Sequence, residues 1–169
     1  MHTIIRLIER LTGATGIIAA LLLIPLIVAT CYEVFARYIL HTPTVWAFEI
    51  GYMVMGAHFM LGAAYTLREG QHVQVDLISN SLRARSRAII TAFFYILLLP
   101  FLVWLSWGLW EYAYYAWDIN ETSGQSSWNP RVWPYRAVFV ISFILLTLQV
   151  LAEALKALLV IFPQSSKAA

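Results

Sequence analysis

The sequence predicts an all-α integral membrane protein of four transmembrane helices, with an interfacial amphipathic segment between the second and third. Three observations carry this. Of 169 residues, 61% are hydrophobic and only 12% charged, where soluble domains average about 25% charged. Four apolar runs, 13–32, 50–67, 89–110 and 137–152, the last continuing past Glu153 and Lys156 to Phe162, approach the roughly 20 residues that cross a hydrocarbon core as helix. Charged and aromatic residues gather at the ends of these runs, as membrane boundaries favour. The runs use most of the chain, so it reads as a single membrane domain, 1–169. Its spans are expected at about 13–38, 44–67, 88–116 and 134–162, with the interfacial segment at about 70–87.

Each element follows from its own residues. Arg6 and Arg10 precede the first run, which invites comparison with a signal peptide. The run continues for roughly 20 residues without a small-residue cleavage site before Cys31, so a retained helix is expected. Pro25 removes one backbone hydrogen bond from that helix, and Pro100 does the same in the third; a kink is expected at each. Thr42 and Pro43 suit the cap and first turn of the second span. That span carries no formal charge from Ile50 to Leu67, then exits into Arg-Glu-Gly-Gln-His-Val-Gln-Val-Asp. The stretch 70–87 is too short and polar to cross; Val73, Val75, Leu77, Ile78 and Leu82 suit a segment lying in the interface, with Asn80 or Ser81 capping the basic start of the third span. Asn129-Pro130 and Trp133-Pro134 close the loop before the fourth.

With four spans, both termini and the 68–87 connection share one side. Arg6, Arg10, Arg68, Arg83, Arg85, Arg87, Lys156 and Lys167 lie there, against Arg37, Arg131 and Arg136 on the other. The excess predicts cytoplasmic N- and C-termini. Trp107, Trp110, Tyr112, Tyr114, Tyr115, Trp117, Trp128 and Trp133 crowd the opposite, outer face, where amphipathic rings settle at the headgroups.

Composition excludes several functions. A net charge of +2 is too small for nucleic acid binding, and the single cysteine excludes an intramolecular disulfide framework and a thiolate metal cluster. No nucleophile–base pair, metal-ligand spacing or glycine-rich phosphate loop is present, so catalysis has no foothold. The polar residues inside the spans therefore need another explanation. Glu33 and Arg37, four apart, share a helix face and can pair; the pair either shields two charges locally or contacts another helix or subunit. Glu49 near the outer mouth of the second span is either a solvated interfacial acid or a partner of a cation such as Arg37. His58, mid-span, lacks a second histidine at similar depth, since His2, His41 and His72 lie in tails or connections. An inter-helix hydrogen bond is expected there in place of haem ligation, and likewise at Gln149. Ala47 and Gly51, then Gly62, Ala63 and Ala64, permit close helix approach. Trp104, Trp107 and Trp110 lie on one side of the third helix and suit a protein partner or lipid.

The residues resemble a family. Glu33-Val34-Phe35-Ala36-Arg37-Tyr38 looks like an E-x-x-x-R-Y ending of the first span, followed by Pro43 and Trp46 with an acid, Glu49, three residues on. Leu61-Gly62-Ala63-Ala64-Tyr65-Thr66-Leu67-Arg68, then His72-Val73-x-Val75-Asp76, completes an ordered set over about 44 residues. The whole chain resembles the small membrane subunit, DctQ type, of tripartite ATP-independent periplasmic (TRAP) transporters. Trp-Ala-Phe-Glu, Gly-Ala-Ala-Tyr-Thr-Leu-Arg and Trp128-Asn129-Pro130 look most like the mannitol or chloroaromatic branch. Phe48 and Tyr52 stand where many members carry an acid and an arginine.

The resemblance implies a non-enzymatic scaffold subunit in the bacterial inner membrane, surrounded by lipid. Its implied partners are a large permease subunit (DctM type), which binds sodium and moves an organic anion, typically a carboxylate, by an elevator-like motion, and a periplasmic binding protein that delivers the anion. No cofactor is expected in the small subunit itself. Glu33, Arg37, Trp46, Glu49, Arg68, His72 and Asp76 become candidates for subunit or inter-helix contacts. The alternative of another class is a four-helix membrane anchor of a respiratory oxidoreductase, binding haem or quinone.

Overall fold

The computed structural model describes residues 2–71 and 84–161. Four helices follow in order: α1 His2–Tyr38, α2 Ala47–Arg68, α3 Ala84–Asp118 and α4 Trp133–Ile161. All four are long and apolar enough to cross a membrane. Of the expected interfacial segment, residues 72–83, with Asn80 and Ser81, fall outside the described residues; Gly70 and Gln71 close α2, and Ala84 to Arg87 already belong to α3.

The helices run alternately up and down, and their packing is uneven. The helix α4 lies against each of the others, α1 and α2 pack on each other, and α3 packs chiefly on α4. A residue rise of 1.5 Å makes the 37-residue α1 about 55 Å long, the 35-residue α3 about 52 Å and the 22-residue α2 about 33 Å. Only α2 matches a hydrocarbon thickness of about 30 Å; α1 and α3 extend beyond it.

The first helix begins near residue 2, well before the expected start at 13. Ile5, Ile8 and Thr12 recur at helical spacing and are buried; the two isoleucines pack with Ala152 beside Leu148, Leu155 and Leu159 of α4. This tertiary stripe holds the extra turns in helix although Arg6 and Arg10 keep them too polar for the hydrocarbon. Both Pro25 and Pro100 lie within unbroken helices.

The second helix starts at Ala47, later than Pro43 suggests. His41, at φ 55°, ends the first helix, and the Thr42 N–H returns to the Ala36 carbonyl. Thr44 then bonds back to α1 and offers its hydroxyl to the Ala47 N–H at 3.4 Å. The residues before 47 are thus committed to a turn. At the other end, the N–H groups of Gly70 and Gln71 bond the carbonyls of Leu67 and Thr66, with Gly70 at φ 66°. This is a Schellman ending, with glycine at its left-handed position.

The third helix stops the same way. Asn120 takes the left-handed position, at φ 50°, and the N–H groups of Asn120 and Glu121 bond Trp117 and Ala116. The loop that follows, named outer for the side that the charge balance predicts, is small and cross-tied. Thr122 pairs with Arg131, the Ser123 N–H bonds the Pro130 carbonyl, and the Asn129 side chain accepts from the Gly124 N–H at 2.7 Å. Pro134 then sits in the first turn of α4, where its missing N–H costs nothing.

Candidate functional site

The polar side chains form ties at both ends of the bundle and one near its middle. At the outer end, Arg37 donates to Glu33 at 2.6 and 3.0 Å, as the four-residue spacing predicts. The other carboxylate oxygen of Glu33 accepts from the Thr44 N–H at 2.9 Å and from the Thr44 hydroxyl. Glu33 therefore fixes the α1–α2 turn as well as pairing with its neighbour. Trp46, in the same turn, stacks on Tyr32 with ring centres 5.8 Å apart and planes at 19°.

Glu49 is fully buried, against the expectation of a solvated acid. Its partners are hydroxyls rather than Arg37: Ser123 and Ser126 donate to one oxygen at 2.5 and 2.7 Å, and Tyr52 donates to the other at 3.0 Å. The outer loop folds over the start of α2 and removes water, and its two serines replace that water around the carboxylate. Arg37 is already engaged by Glu33 on α1.

Beside this loop, Arg136 of α4 grips both oxygens of Glu121, at 2.7 and 2.6 Å, and its guanidinium lies 3.6 Å from the centre of the Tyr112 ring. The planar fork suits both contacts at once, two parallel N–H bonds in its plane and an aromatic face above it. Arg136 is 9% exposed. Both loop anchors, Glu49 and Arg136, thus tie the α3–α4 connection to the bundle.

Mid-bundle, His58 meets the Ala19 carbonyl through Nδ1 at 2.7 Å. A carbonyl only accepts, so Nδ1 carries the proton. This is the expected inter-helix bond, from α2 to α1. Gly16 meets Tyr65 and Gly56 meets Tyr135 at close range, whereas Gly51 and Gly62 face open space. Ala47 and Ala64 are buried.

At the inner end, Gln149 is fully buried and joins two helices: it accepts from Thr12 of α1 at 3.0 Å and donates to Glu153 at 2.8 Å. Lys156 continues the chain of contacts, 2.5 Å from Glu153 and 3.2 Å from Glu9. Arg68 adds α2 by donating to the Glu9 carbonyl at 3.2 Å, with Glu69 3.7 Å away. The sequence singled out Gln149 and Arg68 but missed Thr12, Glu9, Glu153 and Lys156 around them. It likewise missed Ser123, Ser126 and the Glu121–Arg136 pair. Helical spacing exposes Glu153 and Lys156 as neighbours on one face; the other contacts depend on packing between distant segments.

Of the seven contact candidates, Glu33, Arg37, Trp46, Glu49 and Arg68 all make contacts within the chain. His72 and Asp76 lie outside the described residues. Among the described residues no group of three or more His, Cys, Asp or Glu side chains converges as a metal site, and every buried polar side-chain atom has a partner.

Residues 26–160 match the family model described as tripartite ATP-independent periplasmic transporters, DctQ component. No curated protein matches the sequence. The family match takes in the outer ends of all four helices, the whole outer loop and His58, and sets aside the respiratory-anchor alternative. The chain belongs to the DctQ family and is a small permease subunit of a TRAP transporter, a membrane-spanning transport component and not an enzyme.

Proposed function

We propose that this subunit is the static brace of a sodium-coupled TRAP transporter in the bacterial inner membrane. Both of its termini face the cytoplasm. It holds the frame of a large elevator-type permease while that partner binds sodium and carries an organic anion, a carboxylate in the first instance, handed over by a periplasmic binding protein. The observation that carries this reading is the full internal pairing of the buried polar groups in the described residues. Glu49, Arg136, His58 and Gln149 are each engaged in holding one part of the chain to another. Intramembrane ionisable groups mark ion pathways when they line a water-filled route; here they close contacts between packed segments. The basic excess at the end shared by the helix termini near Arg6, Arg10 and Lys156 supports the cytoplasmic assignment.

Reconstitution tests the reading. Liposomes holding the large subunit, this chain and the binding protein should accumulate the anion in response to an inward sodium gradient. Liposomes without this chain should show little uptake. Full sodium-dependent uptake by the large subunit alone would remove the requirement for a brace.

A further inference from the structure

The third helix leaves one face without a neighbour, and that face is not composed like a lipid surface. The side of α3 that meets α4 is marked by Ala92, Leu102 and Ala116, all buried. Turning to the opposite side, Phe94, Phe101, Trp104, Gly108, Glu111 and Tyr115 form one stripe, with Leu97 completing alternating steps of three and four residues. All are exposed, Trp104 at 75%. Steps of three and four keep a seam aligned along a second helix that crosses at a shallow angle. Gly108 offers open space in the middle of the stripe, where a neighbouring backbone can approach.

Glu111 decides what covers the stripe. It is an exposed carboxylate about 10 Å from the outer end of α3, seven residues before Asp118. Its one contact is the Trp107 indole N–H, at 2.8 Å, and among the described residues no cation pairs with it. Each of the other glutamates within the helices has a defined answer: Glu33 has Arg37, Glu9 and Glu153 share Lys156, and Glu49 is enclosed by hydroxyls. The exposed face of α1, by contrast, carries Ile17, Leu21, Ile24 and Val28, an ordinary aliphatic coat. A carboxylate at the edge of the hydrocarbon gains nothing from lipid tails. It is complementary to a protein helix bearing a lysine or arginine.

We infer that the exposed stripe of α3, from Phe94 to Tyr115, is the seam against the large permease subunit, and that Glu111 meets a cationic side chain near the outer end of a partner helix. This rests on the brace reading and adds to it the face through which the brace acts. The test uses the whole transporter in its own membranes, with a photo-crosslinking residue placed at Trp104 or Phe101, and at Ile24 or Val28 of α1 as controls. Positions 101 and 104 should capture the large subunit and positions 24 and 28 should not. A Glu111→Lys variant should retain about tenfold less permease on purification than a Glu111→Gln variant, since a like charge would then face the partner's cation. Capture of the large subunit from α1 alone, capture of a second copy of this chain from α3, or capture of lipid only would each overturn the seam while leaving the brace standing. Failure of the unaltered chain to retain any large subunit would overturn both.

Discussion

Ser126 hands its hydroxyl hydrogen to the carboxylate of Glu49 at 2.7 Å, across 77 residues of sequence. With Ser123 on the same oxygen, this contact makes the outer loop part of the packing of α2. The loop is held from a second side by Arg136 and Glu121, so its shape is fixed at both flanks.

Replacing Glu49 by alanine leaves three part-buried hydroxyls without their acceptor. An unsatisfied buried polar group costs about 1–3 kcal/mol. The expected result is a drop in unfolding temperature in detergent, together with faster backbone hydrogen exchange over residues 119–132. Ser123→Ala with Ser126→Ala should reproduce most of the loss, and adding Glu49→Ala to that pair should cost little more. Independent, additive losses would show that the carboxylate and the serines do not act as one unit.

Arg136→Lys should behave as a disruptive change. Lysine keeps the charge but loses the fork that reaches both oxygens of Glu121 while covering Tyr112. Loss of one charge-assisted hydrogen bond corresponds to about 1.5–3 kcal/mol. Thermal unfolding of the lysine variant checks this; stability equal to the parent chain would show that the charge alone suffices.

Arg37 and Glu49 have separate partners, one on α1 and one in the outer loop. The stability losses of Arg37→Ala and Glu49→Ala should therefore add to within about 0.5 kcal/mol. A coupling energy well above that in a double-mutant cycle would place the two groups in contact.

Two glycines should respond in opposite directions. A methyl group at Gly16 meets the Tyr65 ring at 2.5 Å from its Cγ, close to the backbone, where the ring has little room to yield. Gly16→Ala should destabilise the α1–α2 pair by about 1–3 kcal/mol, the usual range for overpacking. Gly62 faces open space, so Gly62→Ala should stabilise the isolated chain by about 0.5–1 kcal/mol through helix propensity. Parallel unfolding curves of the two variants read both outcomes.

His58→Ala should remove the bond to Ala19 and lower stability by about 1 kcal/mol, the scale of inter-helix hydrogen bonds in membranes. Substrate uptake by the assembled transporter should persist. Abolished uptake with intact assembly would give His58 a part in transport itself.

The legible and illegible parts of the sequence divide along one physical line. A polar side chain inside an apolar run must find a partner, so His58 and Gln149 announced inter-helix bonds before any coordinates did. Glu33 and Arg37 were readable because a helix fixes their separation. The serine partners of Glu49 were not, because they sit in a loop whose path depends on left-handed residues at Asn120, Gly124 and Asn129. Serine is an ordinary loop residue until the backbone turns it inward. The helix starts differ from the span boundaries for a related reason. Hydropathy marks where the hydrocarbon ends, whereas α1 continues to the residues that Ile5 and Ile8 bury against α4, and α2 waits until Thr44 has finished bonding Glu33.

The unequal sharing of neighbours has a consequence for how the chain is made. The first two helices can close on each other as soon as both have left the ribosome, with His58 against Ala19 to register them. The third leaves the ribosome before its main neighbour, because α4 follows it in the chain and touches all the others. Until α4 arrives, neither the Arg136 clamp nor the inner cluster around Lys156 can form. Chain order thus lets the first hairpin pair on its own contacts, whereas the contacts of α3 depend on the fourth span.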